Sequence, residues 1–263
     1  STIAVALNTT TPGASTPTFS AITEFASGLT SWGICSADFN GDGKPDIACT
    51  NQNGPSISVY FNTTAPNASA PSFTAKTDFT TATSPNMIVA VDINGDGKPD
   101  LACSCQSSGG FVSVLLNTTT TGSSTPSFSA KTDFSSGTNC YGVISGDFTG
   151  DGKQDLASVN FGAATLSVFQ NTTTAGATTP TFATKIDLAT GSSPRGMCVA
   201  DFNSDGKKDL VCSNLLGGNF SVFLNTTPIP LPVELSSFTS VVKGNDVTLN
   251  WSTIQEENNK GFE

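Results

Sequence analysis

The chain of 263 residues contains no histidine. That absence removes histidine general bases, Ser-His-Asp triads and histidine-ligated zinc or haem together. Charge is also scarce: Asp, Glu, Lys and Arg make up 12% of the chain, about half the usual share. Leu, Glu, Lys and Arg, which favour helices, are few, so a mostly helical fold is not expected. No apolar run approaches the ~18 residues of a membrane span. The opening STIAVALNTT has neither a basic n-region nor an apolar h-region, so no export signal is expected within the chain. A net charge of -10 argues against nucleic acid as a partner, because phosphate binding needs a basic surface. Ser, Thr, Gly and Asn fill the space that these absences leave.

What is present repeats. The segments DFNGDGKPDI, DINGDGKPDL, DFTGDGKQDL and DFNSDGKKDL begin at Asp38, Asp92, Asp147 and Asp201, at spacings of 54, 55 and 54 residues. A second marker, ending in NTT, places its Asn at Asn8, Asn62, Asn117, Asn171 and Asn225. A third, P-x-F, falls at Phe19, Phe73, Phe128 and Phe182. Within the unit around Asp38, four strands are predicted: WGICSAD, DIACT, ISVYFN and FTAKTDF. The third strand alternates, with Ile57, Val59 and Phe61 on one face, while the first two read as buried on both faces. Four antiparallel strands in ~54 residues is the size of a propeller blade, so the expected fold class is all-β, a β-propeller of about four such repeats over residues 1–227.

The repeat phase does not open or close on a blade edge. There are five third-type strands but four acidic loops, so the last unit lacks its own fourth strand. Thr18–Phe25, blades upstream, or another molecule would supply it. After Thr227 the phase is lost. Residues 228–233 read as a Pro-rich linker, and 234–263 as the truncated start of a β-sandwich, with a strand, a GND turn and a second strand.

Each acidic loop spells D-x-[NT]-x-D-G-K-x-D. Oxygen donors at positions 1, 3, 5 and 9, with the position-7 carbonyl, suit a hard cation, and Gly at 6 permits the turn. The first set is Asp38, Asn40, Asp42, Lys44 (through its carbonyl) and Asp46. The second is Asp92, Asn94, Asp96, Lys98 and Asp100; the third Asp147, Thr149, Asp151, Lys153 and Asp155; the fourth Asp201, Asn203, Asp205, Lys207 and Asp209. An all-oxygen, mostly anionic set selects Ca²⁺ over zinc or copper. An EF-hand is excluded, since position 12 is Cys49, Cys103, Ser158 or Cys212 instead of Glu and the flanks are β-like. The loops hold 12 of the 21 acidic residues, so four Ca²⁺ would bring the chain from -10 to -2. At about millimolar calcium, extracellular-type affinities are worth about 0.4–1.4 kcal/mol per site. The metal is expected to staple the fold, not to act as a Lewis acid.

DFNGDGKPDIAC with SISVYFN, and VSVLLNTT before the next acidic loop, resemble the FG-GAP/VCBS repeat family over residues 1–227; the FG-GAP signature is clearest at FGAATLSVF from Phe161. That resemblance implies a calcium-binding β-propeller like the integrin α-chain head, with the ion in the loop joining the first two strands. The tail PLPVELSSFTS...VTLNWSTIQEENNKGFE resembles the segment preceding the sorting domain of bacterial type IX secretion cargo. Both imply a secreted, extracellular or cell-surface protein.

Cysteines number seven, so at least one is unpaired within the chain. A hairpin centred on the acidic loop sets Cys35 opposite Cys49 and Cys198 opposite Cys212. This admits a disulfide in each, but Cys103 faces Val89 at the same place, so buried thiols are preferred. Each NTT reads as a turn-forming Asn in preference to a glycan acceptor.

Six residues before each first Asp lie Trp32, Asn86, Tyr141 and Arg195. The family resemblance puts them around the central channel, opposite the calcium loops, near Gln52, Asn53, Asn160 and Asn214. Two aromatics, an amide and a guanidinium suit a sugar or a peptide carboxylate, or else simply pack the channel mouth. The function expected is a calcium-stabilised binding or adhesion module for carbohydrate or a cell-surface protein, not an enzyme. The alternatives are a structural subunit of an extracellular filament, a homopolymer in which a neighbour completes the last blade, and the non-catalytic propeller of a polysaccharide-active enzyme.

Overall fold

A computed structural model describes residues 1–228, 233–243 and 246–256. Every acidic loop reverses the chain between two short strands, and every described strand pairs antiparallel with its sequence neighbour. The first pair is β1 (Thr2–Val5) and β2 (Thr23–Ala26). Three complete four-stranded sheets follow. They are β3 (Ser31–Ala37), β4 (Asp46–Asn51), β5 (Ser56–Tyr60) and β6 (Thr77–Thr80); β7 (Pro85–Val91), β8 (Asp100–Cys105), β9 (Phe111–Leu115) and β10 (Thr132–Ser135); and β11 (Cys140–Gly146), β12 (Asp155–Asn160), β13 (Thr165–Phe169) and β14 (Ile186–Ala189). Among the described residues the fourth sheet has three strands, β15 (Pro194–Ala200), β16 (Asp209–Asn214) and β17 (Asn219–Phe223). The fold is all-β, in blade-like sheets, with no helix among the described residues.

The core lies between sheets. Phe39, Ala48, Ile57, Val59 and Phe61 of the first complete sheet pack on Ile88, Leu101, Cys103 and Leu115 of the second. Equivalent clusters join the second sheet to the third and the third to the fourth, and Ile3 of β1 packs on Ile47 and Tyr60. No core cluster among the described residues joins the fourth sheet to the β1–β2 pair. Stacking on both sides explains why β4, β8 and β12 are buried at all six positions. It also buries both faces of β5, where the alternation of Ile57, Val59 and Phe61 had indicated one. The first strands depart from the expectation in the other direction. β3 is an edge strand with one neighbour, and it is partly exposed.

The fourth strand is shorter than FTAKTDF suggested. Phe73 makes an isolated bridge to Asn62, and the ladder resumes only at Thr77. Hydrogen-bond register also corrects the cysteine pairing. Cys35 faces Ala48 and Cys49 faces Ile34, one residue away from the expected register. Cys198 faces Val211, Cys212 faces Met197 and Cys103 faces Ile88. One residue of offset sends two side chains to opposite faces of a sheet, so neither disulfide forms. All seven cysteines are free thiols.

Among the described residues, strands β18 (Val233–Lys243) and β19 (Asp246–Glu256) pair with each other alone. Most of the Pro-rich segment (229–232), the turn at 244–245 and residues 257–263 lie outside the described residues.

Candidate metal loops and a candidate binding mouth

Within each acidic loop, the first aspartate organises the turn. Asp38 Oδ1 accepts the N–H of Gly41 at 2.7 Å and of Asp42 at 3.1 Å, and its Oδ2 accepts Gly43 N–H at 2.7 Å. Gly43 sits at φ 83°, a left-handed conformation that glycine adopts without strain. Asn40 Oδ1 accepts Asp42 N–H, and Asp42 Oδ1 accepts Lys44 N–H. The loops at Asp92, Asp147 and Asp201 follow the same plan. Thr149 alone differs, sharing the Oδ2 of Asp155 through both its N–H and its hydroxyl.

The ninth position serves the fold. Asp46, Asp100, Asp155 and Asp209 are fully buried. Asp100 Oδ2 accepts Ile93 N–H at 2.9 Å and its Oδ1 accepts Asn117 N–H at 2.6 Å, tying the loop to the end of the third strand. The other three repeat this bond pair. Burial pushes the Asp100 carboxyl up to about 6; the two N–H groups oppose that rise, and repulsion from Asp96 and Asp92 adds to it. Asp46 and Asp155 are raised for the same reasons. A carboxyl raised in the folded state is held ionised against its preference once pH rises through that value. A cation nearby removes that cost.

Among the described residues, no three Asp, Glu or Cys side chains converge as a preformed metal cluster. The loop carboxylates are turned onto the loop's own N–H groups instead. The donor chemistry still fits a hard divalent ion: each loop offers only oxygen, and the aspartates repel one another. Among the described residues, an ion pair to a loop aspartate forms in the fourth loop alone, Lys207 Nζ lying 3.9 Å from Asp205.

The NTT asparagines carry a role that motif reading missed. Asn117 Nδ2 donates to Phe39 O of the preceding sheet at 2.9 Å and to Pro99 O of its own loop at 3.0 Å. Asn171 and Asn225 repeat the link to Ile93 O and Phe148 O. Both amide hydrogens are committed and Asn117 and Asn171 are buried, which excludes a glycan at these two. Acidic loops also reach forward: Asn40 Nδ2 donates to Ser123 O and Gly122 N–H to Asn40 O, while Asn94 and Gly176 form the same pair one sheet on. The 78-residue separation of Asn117 from Phe39, longer than one repeat, gave motif reading no local signal.

At the opposite end of the hairpins, Trp32, Tyr141 and Arg195 meet in a cleft of about 260 Å³. The Trp32 and Tyr141 rings contact edge to face with centroids 6.5 Å apart, although one whole sheet separates them in sequence order. Arg195 lies over the Tyr141 ring at 4.5 Å and hydrogen-bonds its hydroxyl. Trp32 remains 47% exposed. Asn86 does not join them. It is fully buried, its Oδ1 accepting from Gln52 at 3.4 Å, and Met87 lines the cleft in its place. A register irregularity interrupts every first strand at this point, and a bulge re-aims side chains that strict alternation assigns to a face. Beside it, a Cβ on Gly33 would come within 2.2 Å of Asn86 O, so two sheets approach there only through glycine.

A protein-family model described as FG-GAP-like repeat matches residues 38–103, 92–158 and 147–212. Each window runs from the first aspartate of one acidic loop through the strand that follows the next. A comparison with curated proteins finds no match.

Proposed function

The chain belongs to the FG-GAP-like repeat family, and from that membership we propose a secreted, calcium-stabilised propeller module that binds a ligand at the Trp32–Tyr141–Arg195 mouth. We read the repeats as the VCBS type and the C-terminal segment as the stretch ahead of a type IX sorting domain. The family supports a propeller-type binding or adhesion role in general; ligand and ion are this reading's additions.

One observation carries the binding role. Arg195 stacks on Tyr141 beside a half-exposed Trp32, and among the described residues no carboxylate pairs with it. Aromatic faces take the apolar face of a sugar ring, and a guanidinium takes a carboxylate. The fitting ligand is a saccharide or peptide that presents an anionic group. Trp32, Met87, Tyr141 and Arg195 give the cleft an aromatic and cationic lining suited to binding, and we read the role as non-catalytic.

Calcium would be held by the aspartates, Asn or Thr, and the position-7 carbonyl of each loop, where it supplies positive charge against mutually repelling carboxylates. Locking each loop would hold the carbonyl of its second residue, and so the Asn link to the next sheet.

Two measurements test the reading. Calorimetry is expected to show uptake of about four calcium ions per chain, and chelation to lower the melting temperature; no heat and unchanged melting would remove calcium from the reading. On a glycan array, Trp32→Ala is expected to weaken binding about tenfold. Arg195→Ala should abolish the preference for acidic over neutral glycans. Binding indifferent to both substitutions would place the ligand elsewhere.

A further inference from the structure

Among the described residues, the second edge of β17 carries no strand, and the segment that follows pairs as β18 with β19. The open sheet shows what is missing. Phe220 is 68% exposed, whereas its counterparts Ile57, Val112 and Leu166 are at 0%. Val222 and Leu224 are also exposed. In the three complete sheets, a serine of the third strand donates to an aspartate of the fourth: Ser58 to Asp78, Ser113 to Asp133 and Ser167 to Asp187, at 2.5–2.6 Å. Ser221 occupies that position in β17, accepts from Gly191 N–H and Asn214 Nδ2, and meets no carboxylate among the described residues.

A third vacancy lies one step outward. At each earlier seam, the fourth-strand phenylalanine of one sheet meets the P-x-F phenylalanine of the next, as in Phe79–Phe128 and Phe134–Phe182, with centroids 4.8–5.1 Å apart. Leu188 is the inner partner at the last seam. It lines an apolar cavity of about 360 Å³ together with Val168, Ile186, Leu210, Phe223 and Leu224, and no P-x-F ring fills it.

One segment of the chain matches all three vacancies. Residues 17–26, PTFSAITEFA, align with PSFTAKTDFT, PSFSAKTDFS and PTFATKIDLA, the segments that complete the other sheets. In that register Glu24 faces Ser221, Phe25 faces Phe220 and Phe19 enters the cavity beside Leu188. The same segment is poorly used where it lies. Glu24 is exposed and faces Ala4, which has no hydroxyl, and Phe19 is 62% exposed.

We propose that residues 17–26 of a second copy complete the fourth sheet by strand exchange. The chain's own segment sits at the far end of the series, with Phe25 against Phe73 and Ala26 O accepting from Tyr60, and three complete sheets lie between it and β17. Exchange of an identical element between copies is a low-cost route to assembly. If each copy receives from one neighbour and gives to another, the contact is heterologous and the assembly grows head to tail. This inference stands apart from the calcium and ligand readings.

The test is sedimentation and light scattering of the full chain over a wide concentration range. Concentration-dependent association is expected. Glu24→Lys and Phe19→Ala each alter an exposed side chain and are expected to weaken it about tenfold, the equivalent of one lost charge-assisted hydrogen bond or one lost buried ring contact. Ser221→Asp should weaken it as well, and combining Ser221→Asp with Glu24→Lys should restore it by reversing the polarity of the pair. A monomer at every concentration overturns the proposal, including one that Glu24→Lys destabilises, which would signal closure by the chain's own segment. Association indifferent to Glu24→Lys and Phe19→Ala overturns it equally.

Discussion

Asp100→Ala is expected to lower stability by about 2–5 kcal/mol, because two buried N–H groups lose their acceptor at about 1–3 kcal/mol each. Those groups are Ile93 N–H and Asn117 N–H, and both bonds are buried. On the calcium reading proposed above, the same substitution also removes one loop's ninth donor, and calcium uptake is expected to fall by one ion. Asp209 provides the internal comparison. Its partners, Phe202 N–H and Asn225 N–H, are only partly buried at the open fourth sheet, so water replaces part of what Asp209→Ala removes. Urea denaturation of the two variants should therefore rank Asp100→Ala as clearly the more damaging. Equal losses would mean that the ninth aspartate acts through the metal alone and not through the backbone anchor described here.

Asn117→Ala is the second large effect, at about 2–4 kcal/mol. It frees Phe39 O and Pro99 O from their donor and leaves Thr119 N–H without an acceptor, all in a buried seam. Asn8 belongs to the same NTT motif and is exposed, with Thr10 N–H as its one described partner. Asn8→Ala is expected to change stability by no more than ~0.5 kcal/mol. Thermal unfolding of the two variants separates a motif kept for its turn from one that bolts neighbouring sheets. A comparable loss at both positions would leave the turn as the whole explanation.

These comparisons mark how far the chain's text could be read. The four acidic loops, their spacing and the all-β class were legible, because a D-x-N-x-D-G turn is built from residues within nine positions of one another. Trp32, Tyr141 and Arg195, which share one place in their repeats, line one cleft. Asn86 shares that place and is buried away from them, because a bulge lets each sheet choose which of two neighbouring residues it turns outward. Cys35 and Cys49 show the same sensitivity. A shift of one residue in hairpin register separates them onto opposite faces, and nothing in the spacing of the loop marks which register holds.

The sequence by itself determined the repeat, the strand order within each blade and the oxygen-rich composition of each loop, since all of these arise from contacts between near neighbours along the chain. Tertiary structure decided the rest: which Asn reaches across 78 residues to the preceding sheet, which aspartates are buried as anchors, and which side chains the fourth sheet leaves uncovered. Those outcomes depend on how one sheet stacks on the next. Identical motifs acquire different environments according to whether a neighbour is present, so the same letters give a sealed seam at Ile57, Val112 and Leu166 and an open one at Phe220.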